Sequence, residues 1–307
     1  MNTTLALEAS SLGRRYGGTW ALSDCSLSLP TTRVVALVGP NGAGKTTLLH
    51  LATGLLQPTS GSIRVLGETP AADPEILGRV GFVAQEMPLY RSFTVEEMLR
   101  FGEAMNPTWD RQLAVERLAS LEIPLSQKVG TLSGGQRAQV SLAIALAKRP
   151  ELLLLDEPLA SLDPLARRDF LAVLMESVAE HGVSVVLSSH LVTDLERVCD
   201  HLVVLRGGRV AVDGDIGGLV RTHRLLSGPR HSGALDGVGE VIDRTDTDRQ
   251  TVALVRTDGP VLDPAWDVRE VDLEEIVLGY LGGRGGSGAA ADTTLRPVRP
   301  ATSEVGS

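Results

Sequence analysis

Gly39-Pro40-Asn41-Gly42-Ala43-Gly44-Lys45-Thr46 has the spacing G-x-x-x-x-G-K-[ST]. It lies between an unbroken apolar run, Val34-Val35-Ala36-Leu37-Val38, and a helically spaced one, Thr46-Thr47-Leu48-Leu49-His50-Leu51. Glycines let a backbone fold tightly enough for successive N–H groups to converge, and a helix start adds partial positive charge. A strand, such a turn and a helix in this order form a cradle for phosphate oxygens. In that cradle the Lys45 ammonium can reach the β and γ phosphates of a nucleotide, and the Thr46 hydroxyl can ligate Mg2+. The plainer alternative is a glycine-rich turn with an exposed lysine. Lysine occurs only at 45, 128 and 148 in a chain with 29 Lys and Arg residues, so a lysine at this place in the spacing is informative.

Two further segments carry charge or its complement. Leu152-Leu153-Leu154-Leu155 is a second apolar run and ends in Asp156-Glu157. The carboxyl end of a buried strand opens onto the ligand crevice of an open α/β sheet. Both acids would be delivered there, Asp156 to hold Mg2+ through water and Glu157 to polarise an attacking water. An apolar run followed by two acids is common by itself; downstream of the 39–46 loop it forms a nucleotide-hydrolase pair. Leu132-Ser133-Gly134-Gly135-Gln136 opens a helical pattern over 136–148, with Ser133 a natural N-cap and glycine N–H groups forming a second anion site. A single nucleotide does not need both. Either this second loop is only a capped helix start, or it meets a nucleotide held by another copy of the domain.

The elements that must position these residues alternate along the chain. Weak alternation over residues 1–30 reads as short antiparallel strands. Buried runs then follow at 34–38, 80–83, 152–155, 183–187 and 201–205, and helical patterns at 136–148, 164–181 and 192–199 precede the last three. Strands alternating with helices predict a parallel sheet with right-handed crossovers. Residues 94–128 are helical in pattern without a core strand, an insertion into the α/β core. Beyond about residue 215 two short strands, 238–242 and 251–255, and an amphipathic helix, 271–281, are expected, and from Gly282 the Gly, Ala, Ser and Pro content predicts disorder.

Composition narrows the function classes. A net charge of -9 disfavours nucleic acid as a partner, because duplex affinity comes from Lys and Arg neutralising phosphates. Cys25 and Cys199 stand outside any C-x-x-C spacing and read as buried thiols of a reducing compartment. Met1-Asn2-Thr3-Thr4-Leu5 shows no basic start followed by an apolar run, and no stretch approaches the roughly 20 apolar residues of a membrane span, so the chain is expected not to cross a bilayer itself.

Taken in order, the loop at 39–46, the Leu132–Gln136 segment and Asp156-Glu157 resemble the Walker A, signature and Walker B motifs of ABC transporter ATPases, a likeness that spans residues 5 to about 220. The resemblance implies an α/β P-loop NTPase with a RecA-like parallel core, an N-terminal antiparallel β subdomain and an inserted helical subdomain over about 86–150. These would fill an ATPase domain of residues 1–220. A small α+β C-terminal unit, 221–282, and a disordered tail, 283–307, would follow. ATP and Mg2+ are the implied cofactors, with Gly39, Pro40, Asn41, Gly42, Ala43, Gly44, Lys45, Thr46 and Thr47 around the triphosphate. Tyr16 matches the aromatic that stacks on adenine, and Gln85 the Q-loop glutamine that senses Mg2+ and the membrane subunit. Ser161-Leu162-Asp163 matches the D-loop, and His190 the switch histidine at the γ phosphate. The resemblance thus assigns catalysis to Glu157, His190 and Gln85, and the metal to Thr46, Gln85 and Asp156. Ser133, Gly134, Gly135, Gln136 and Asp163 would complete the nucleotide site across a dimer.

The family pattern further implies a head-to-tail dimer with a second ATPase protomer, identical or homologous, and separate integral membrane permease subunits contacted through residues 86–130 at the cytoplasmic face of the membrane. Met105-Asn106-Pro107-Thr108-Trp109-Asp110, Ser188-Ser189-His190 and Asp272-Leu273-Glu274-Glu275-Ile276-Val277 look most like ATPases of ABC-2-type exporters. Gln127-Lys128-Val129-Gly130-Thr131 stands where fused multidrug exporters carry Thr-Glu-Val-Gly-Glu, which sets that subclass aside. An importer ATPase would share every hydrolytic residue. A non-transport ABC protein acting on ribosomes or DNA would carry a second cassette with a charged linker, or a long coiled-coil insertion, and neither pattern is present. Residues 215–282 read either as a regulatory domain or as a cap on the dimer.

Overall fold

Five consecutive buried residues at Val34–Val38 belong in the middle of a sheet covered on both faces, and that is where they lie. The computed structural model describes residues 5–70, 74–160, 162–190 and 192–283; the tail expected over 283–307 lies outside these from residue 284 on. The chain opens with β1 (Leu5–Tyr16), β2 (Thr19–Pro30), β3 (Val34–Val38), α1 (Lys45–Ala52), β4 (Ser60–Val65), α2 (Pro74–Arg79) and β5 (Val80–Val83). Next come α3 (Val95–Met105), α4 (Arg111–Ser120), α5 (Gly134–Ala147), β6 (Leu152–Leu155), α6 (Pro164–His181), β7 (Ser184–Ser189), β8 (His201–Arg206) and β9 (Arg209–Asp215). The C-terminal part holds α7 (Ile216–Thr222), β10 (His223–Pro229), β11 (Glu240–Asp246), β12 (Gln250–Arg256), β13 (Asp267–Arg269) and α8 (Leu273–Gly282).

The core sheet has the order β5-β6-β7-β3-β8-β9, parallel except for the edge pair β8 and β9. Its strands divide their side chains by position. Val34, Ala36, Val38, Leu153, Leu155, Val185 and Leu187 enter one apolar cluster with α5 and α6. Val35, Leu37, Leu152, Leu154 and Val186 enter another with α1 and the antiparallel sheet β2-β1-β4. A strand feeding two cores has no solvent face, which is why these segments read as continuous apolar runs. The hairpin from β8 to β9 turns on Gly207 and Gly208, both left-handed (φ 57° and 78°). At Gly208 a Cβ would also lie 2.8 Å from the Ala21 carbonyl oxygen. The Gly208 N–H bonds the Ala43 carbonyl at 3.2 Å, and its own carbonyl accepts from Ser23 N–H at 2.9 Å.

The helical subdomain is built from α3, α4 and α5 around Val95, Leu99, Ala114, Leu118 and Val129. Its helices start at side-chain caps: Thr94 with Glu97 for α3, Asp110 for α4 and Ser133 with Gln136 for α5. Helix α5 serves two cores, giving Val140, Ala143 and Ala147 to this subdomain and Ala138, Leu142, Ala145 and Leu146 to the parallel sheet. It begins at Gly134, two residues before the expected start. The helix expected over 192–199 is instead a run of turns, in which Leu195 and Val198 N–H groups bond three residues back and Glu196 and Cys199 four. Val192, Thr193 and Val198 are β-branched and lower the segment's helix propensity. Cys25 and Cys199 are buried free thiols, and burial pushes Cys25 up to about 12. Among the described residues no helix is long and apolar enough to cross a membrane.

The C-terminal strands form a separate antiparallel sheet, β11-β12-β10-β13, while α8 buries Leu273, Ile276 and Val277 in the same cluster as Phe170 and Leu202. The Arg206 guanidinium holds the end of α8 by donating to the carbonyls of Tyr280 (3.2 Å) and Gly283 (2.9 Å). His223, buried at the start of β10, ties the two parts of this unit together. Its Nδ1 lies 2.8 Å from the Leu219 carbonyl, which can only accept, so Nδ1 carries the proton and Nε2 accepts from the Tyr280 hydroxyl at 3.0 Å. Burial, opposed in part by the Leu219 bond, holds this imidazole below its ordinary value of 6.5. As pH falls below that value, the unfolded chain takes up a proton that the native one refuses, so stability is lost on acidification until the native group also titrates. Thermal unfolding of the full chain between about pH 7.5 and 5.5 should show this loss, and His223→Gln should flatten it; an unchanged slope would remove His223 as its source.

Candidate active site

The parallel register brings the chemistry together. Leu155 of β6 pairs with Leu187 of β7, while Leu37 and Val38 of β3 pair with Ser188 and Ser189 of β7. The residues that leave these strands therefore emerge side by side: the 39–44 loop, Asp156-Glu157 and His190. They meet at a cavity of about 350 Å³ lined by Ala21, by every residue from Pro40 to Thr47, and by Gln85, Glu157 and His190.

Gly44 seats the loop. It is left-handed (φ 107°), and a Cβ there would lie 2.6 Å from Leu22 Cδ2 and 2.7 Å from the Ala21 carbonyl oxygen, so the loop presses directly on β2. The backbone leaves Gly44 into α1, whose first turn carries no acid and whose first N–H groups face the cavity end of the helix.

Two opposite charges lie buried beside that loop. Lys45 and Glu157 are 6% and 8% exposed, with Nζ and Oε1 3.1 Å apart. Lys45 also donates to the Gly39 carbonyl at 2.6 Å, and Glu157 Oε2 accepts from His190 Nδ1 at 2.7 Å. Removing one partner of such a pair leaves an uncompensated buried charge, worth about 3–5 kcal/mol. Glu157 itself is left-handed (φ 46°), which for a side chain with a Cβ costs about 1–3 kcal/mol and marks a site where surroundings over-determine the backbone. Its N–H donates to Ser188 Oγ at 2.8 Å, and that hydroxyl donates to Asp156 Oδ1 at 2.8 Å.

Other expected site residues stand apart from this cavity. Ser133, Gly134, Gly135 and Gln136 form the start of α5. There Ser133 Oγ accepts from Gln136 N–H at 3.1 Å, and Gln136 Oε1 accepts from Ser133 N–H at 3.0 Å. The Ser133 hydroxyl proton is left over for another acceptor, and the first turn contains no acid. Asp163 caps α6, accepting from Leu165 and Ala166 N–H groups at 3.0 Å each, while Ser161 lies outside the described residues. Tyr16 closes β1 half-exposed, with the Arg14 guanidinium 5.0 Å from its ring centre. Ala21 and Ser188 belong to the site without having been singled out for it. Ser188 had a legible signal, a hydroxyl inside an apolar strand, whereas Ala21 had none. A larger cavity of about 550 Å³ opens at the opposite ends of β6 and β7, but its charges are already paired, Glu151 with Arg79 and Arg149 with Asp110.

A strand, a glycine-rich loop and a helix with a buried lysine, facing an acid pair at the end of β6 two strands away, have the chemistry to hold a nucleotide triphosphate. Residues 22–160 match the ABC transporter family model. The chain is 34% identical to the phosphonates import ATP-binding protein PhnC of Maricaulis maris, over 77% of this chain and 98% of that one. It is also 34% identical to the Nod factor export ATP-binding protein I of Cupriavidus pinatubonensis, over 78% and 74% respectively. Its fold is similar to the dimeric structure of MJ0796, a bacterial ABC transporter cassette, with a TM-score of 0.59 and 27% identity over 68% of this chain and 98% of that one. The chain belongs to the ABC transporter family as an ATP-binding subunit, an ATPase whose hydrolysis powers transport.

Proposed function

We propose that this chain closes head to tail with a second ATPase protomer around ATP and drives export through separate integral membrane permeases, docking on them from the cytoplasmic face through its 86–130 region. The observation that carries this is the separation of two anion-binding helix starts: that of α1 lines the cavity, and that of α5 lies outside it with a hydroxyl proton to give. A second copy would bring Ser133, Gly134 and Gly135 onto the γ phosphate held by Lys45, with Gln136 fixing that helix start and Asp163 the neighbouring one. The likeness to MJ0796, a cassette whose structure is dimeric, supports the pairing of two copies.

Within one site, N–H groups from residues 39–47 and the Lys45 ammonium would hold the triphosphate, and Tyr16 would stack on the base. Thr46, Gln85 and Asp156 offer hard oxygen donors, the set that suits Mg2+, and two of them line the cavity. The cation would neutralise charge on the phosphates. The γ phosphate competes with Glu157 for Lys45, which frees the Glu157 carboxylate to orient water and take its proton as the bond to ADP breaks. His190 keeps Glu157 aimed from the other side and reaches toward the γ phosphate. Loss of that phosphate removes the charge bridging both protomers, and the dimer reopens.

Export is supported by the 105–110, 188–190 and 272–277 stretches, while the likeness to known proteins runs equally to an import and an export subunit; a solute-binding protein co-purifying with the complex would reverse the direction. Residues 221–282 are proposed as a cap that steadies the cassette. Glu157→Gln should keep ATP binding yet lower steady-state turnover by at least about 100-fold with the membrane partner present, and near-normal turnover would sink that role. Lys45→Ala should lose nucleotide affinity, and calorimetric titration showing unchanged binding would reject the assignment. Truncation after Thr222 should lower the melting temperature by at least about 5 °C, because Phe170 and Leu202 lose α8, while changing ATP affinity by less than about threefold. A large loss of affinity at unchanged melting temperature would instead make the segment regulatory.

A further inference from the structure

Ser188 is fully buried in β7, between β6 and β3, and it does not line the nucleotide cavity. A buried hydroxyl is tolerated where its hydrogen-bonding capacity is used. Here it is used on two consecutive acids: the hydroxyl donates to Asp156 Oδ1 and accepts from the Glu157 N–H, each at 2.8 Å. The second bond is made to a residue in the left-handed region (φ 46°), where an extended strand end would point the following side chain elsewhere. From this backbone position Glu157 reaches Lys45 with one carboxylate oxygen and His190 with the other.

We propose that Ser188 is a positioning residue for ATP hydrolysis. It holds the Glu157 backbone in the conformation that aims its carboxylate into the cavity, and it fixes the rotation of the Asp156 carboxylate beside it. This role presupposes those proposed above for Asp156 and Glu157. Because Ser188 stands behind the cavity wall rather than in it, its loss acts on turnover and on the cation rather than on nucleotide capture. Valine and threonine have the same shape and differ in the hydroxyl, so they separate hydrogen bonding from packing.

The test uses the full-length chain as Ser188→Val, Ser188→Thr and Glu157→Gln, with melting temperatures recorded for each. Ser188→Val should lower kcat by about 10- to 100-fold, the effect of one buried hydrogen bond on a barrier, and leave the KM for ATP within about threefold. Binding of a fluorescent ATP analogue, titrated with Mg2+, should need more cation in Ser188→Val than in the parent. Ser188→Thr should restore both kcat and the Mg2+ midpoint to within about threefold. Equal impairment of Val and Thr, or normal turnover in Val, overturns the role. Slow Glu157→Gln beside normal Ser188→Val leaves the hydrolytic reading standing and removes Ser188 from it. Near-normal Glu157→Gln removes both.

Discussion

An ammonium and a carboxylate held 3.1 Å apart and almost out of water set the terms for the rest of this structure. Taking either ion out of water costs several kcal/mol, and their attraction repays it only where the remaining polar atoms are satisfied and the geometry is held. The Gly39 carbonyl, the His190 ring and the Ser188 hydroxyl do the satisfying. Holding the geometry falls to the parallel sheet, whose register sets the ends of β3, β6 and β7 level with one another. That register is enforced by alternation, since sliding one strand by a residue would exchange the side chains meant for the two cores.

The same economy shapes the helical subdomain. Helix α5 begins at the Ser133 cap and turns one face to the parallel sheet and another to the helical subdomain along its whole length. Ala138, Ala143, Ala145 and Ala147 keep it slim enough to pack on both sides. At its far end the Ala147 carbonyl accepts the Asp110 N–H at 2.7 Å, and Arg149 pairs with the Asp110 carboxylate, which fastens the start of α4 to it. Movement of this subdomain is therefore expected as a body pivoting about α5 rather than as melting of its parts.

The grouping of the cavity residues was largely legible because they belong to short local patterns. Gly39 to Thr46 and Asp156-Glu157 carry their chemistry in the types and order of a few neighbours, and each follows an apolar run that only a doubly covered strand explains. Legibility failed where stability comes from distant partners. β10 begins with His223 and ends with Gly228-Pro229; it is a strand because β12 and β13 flank it, a fact spread over some forty residues. The twelve-residue β1 and β2 looked short because register shifts near Leu12 and Arg14 break their alternation. The Val192–Cys199 pattern promised a helix from periodicity alone, and its β-branched residues favour the run of turns it forms instead. Ser188 was visible as a serine in an apolar strand, but the partners of its hydroxyl depend on which strand lies alongside.

The hairpin between β8 and β9 has one more implication. Arg206, on one side of its turn, grips the last carbonyls of α8, and Gly208, on the other, grips the phosphate loop at Ala43 and the antiparallel sheet at Ser23. The path of contacts from α8 to the 39–46 loop is thus only three residues long, and it runs through two left-handed glycines, Gly207 and Gly208. One turn therefore serves as a shared support for helix α8 and for the loop that precedes Lys45.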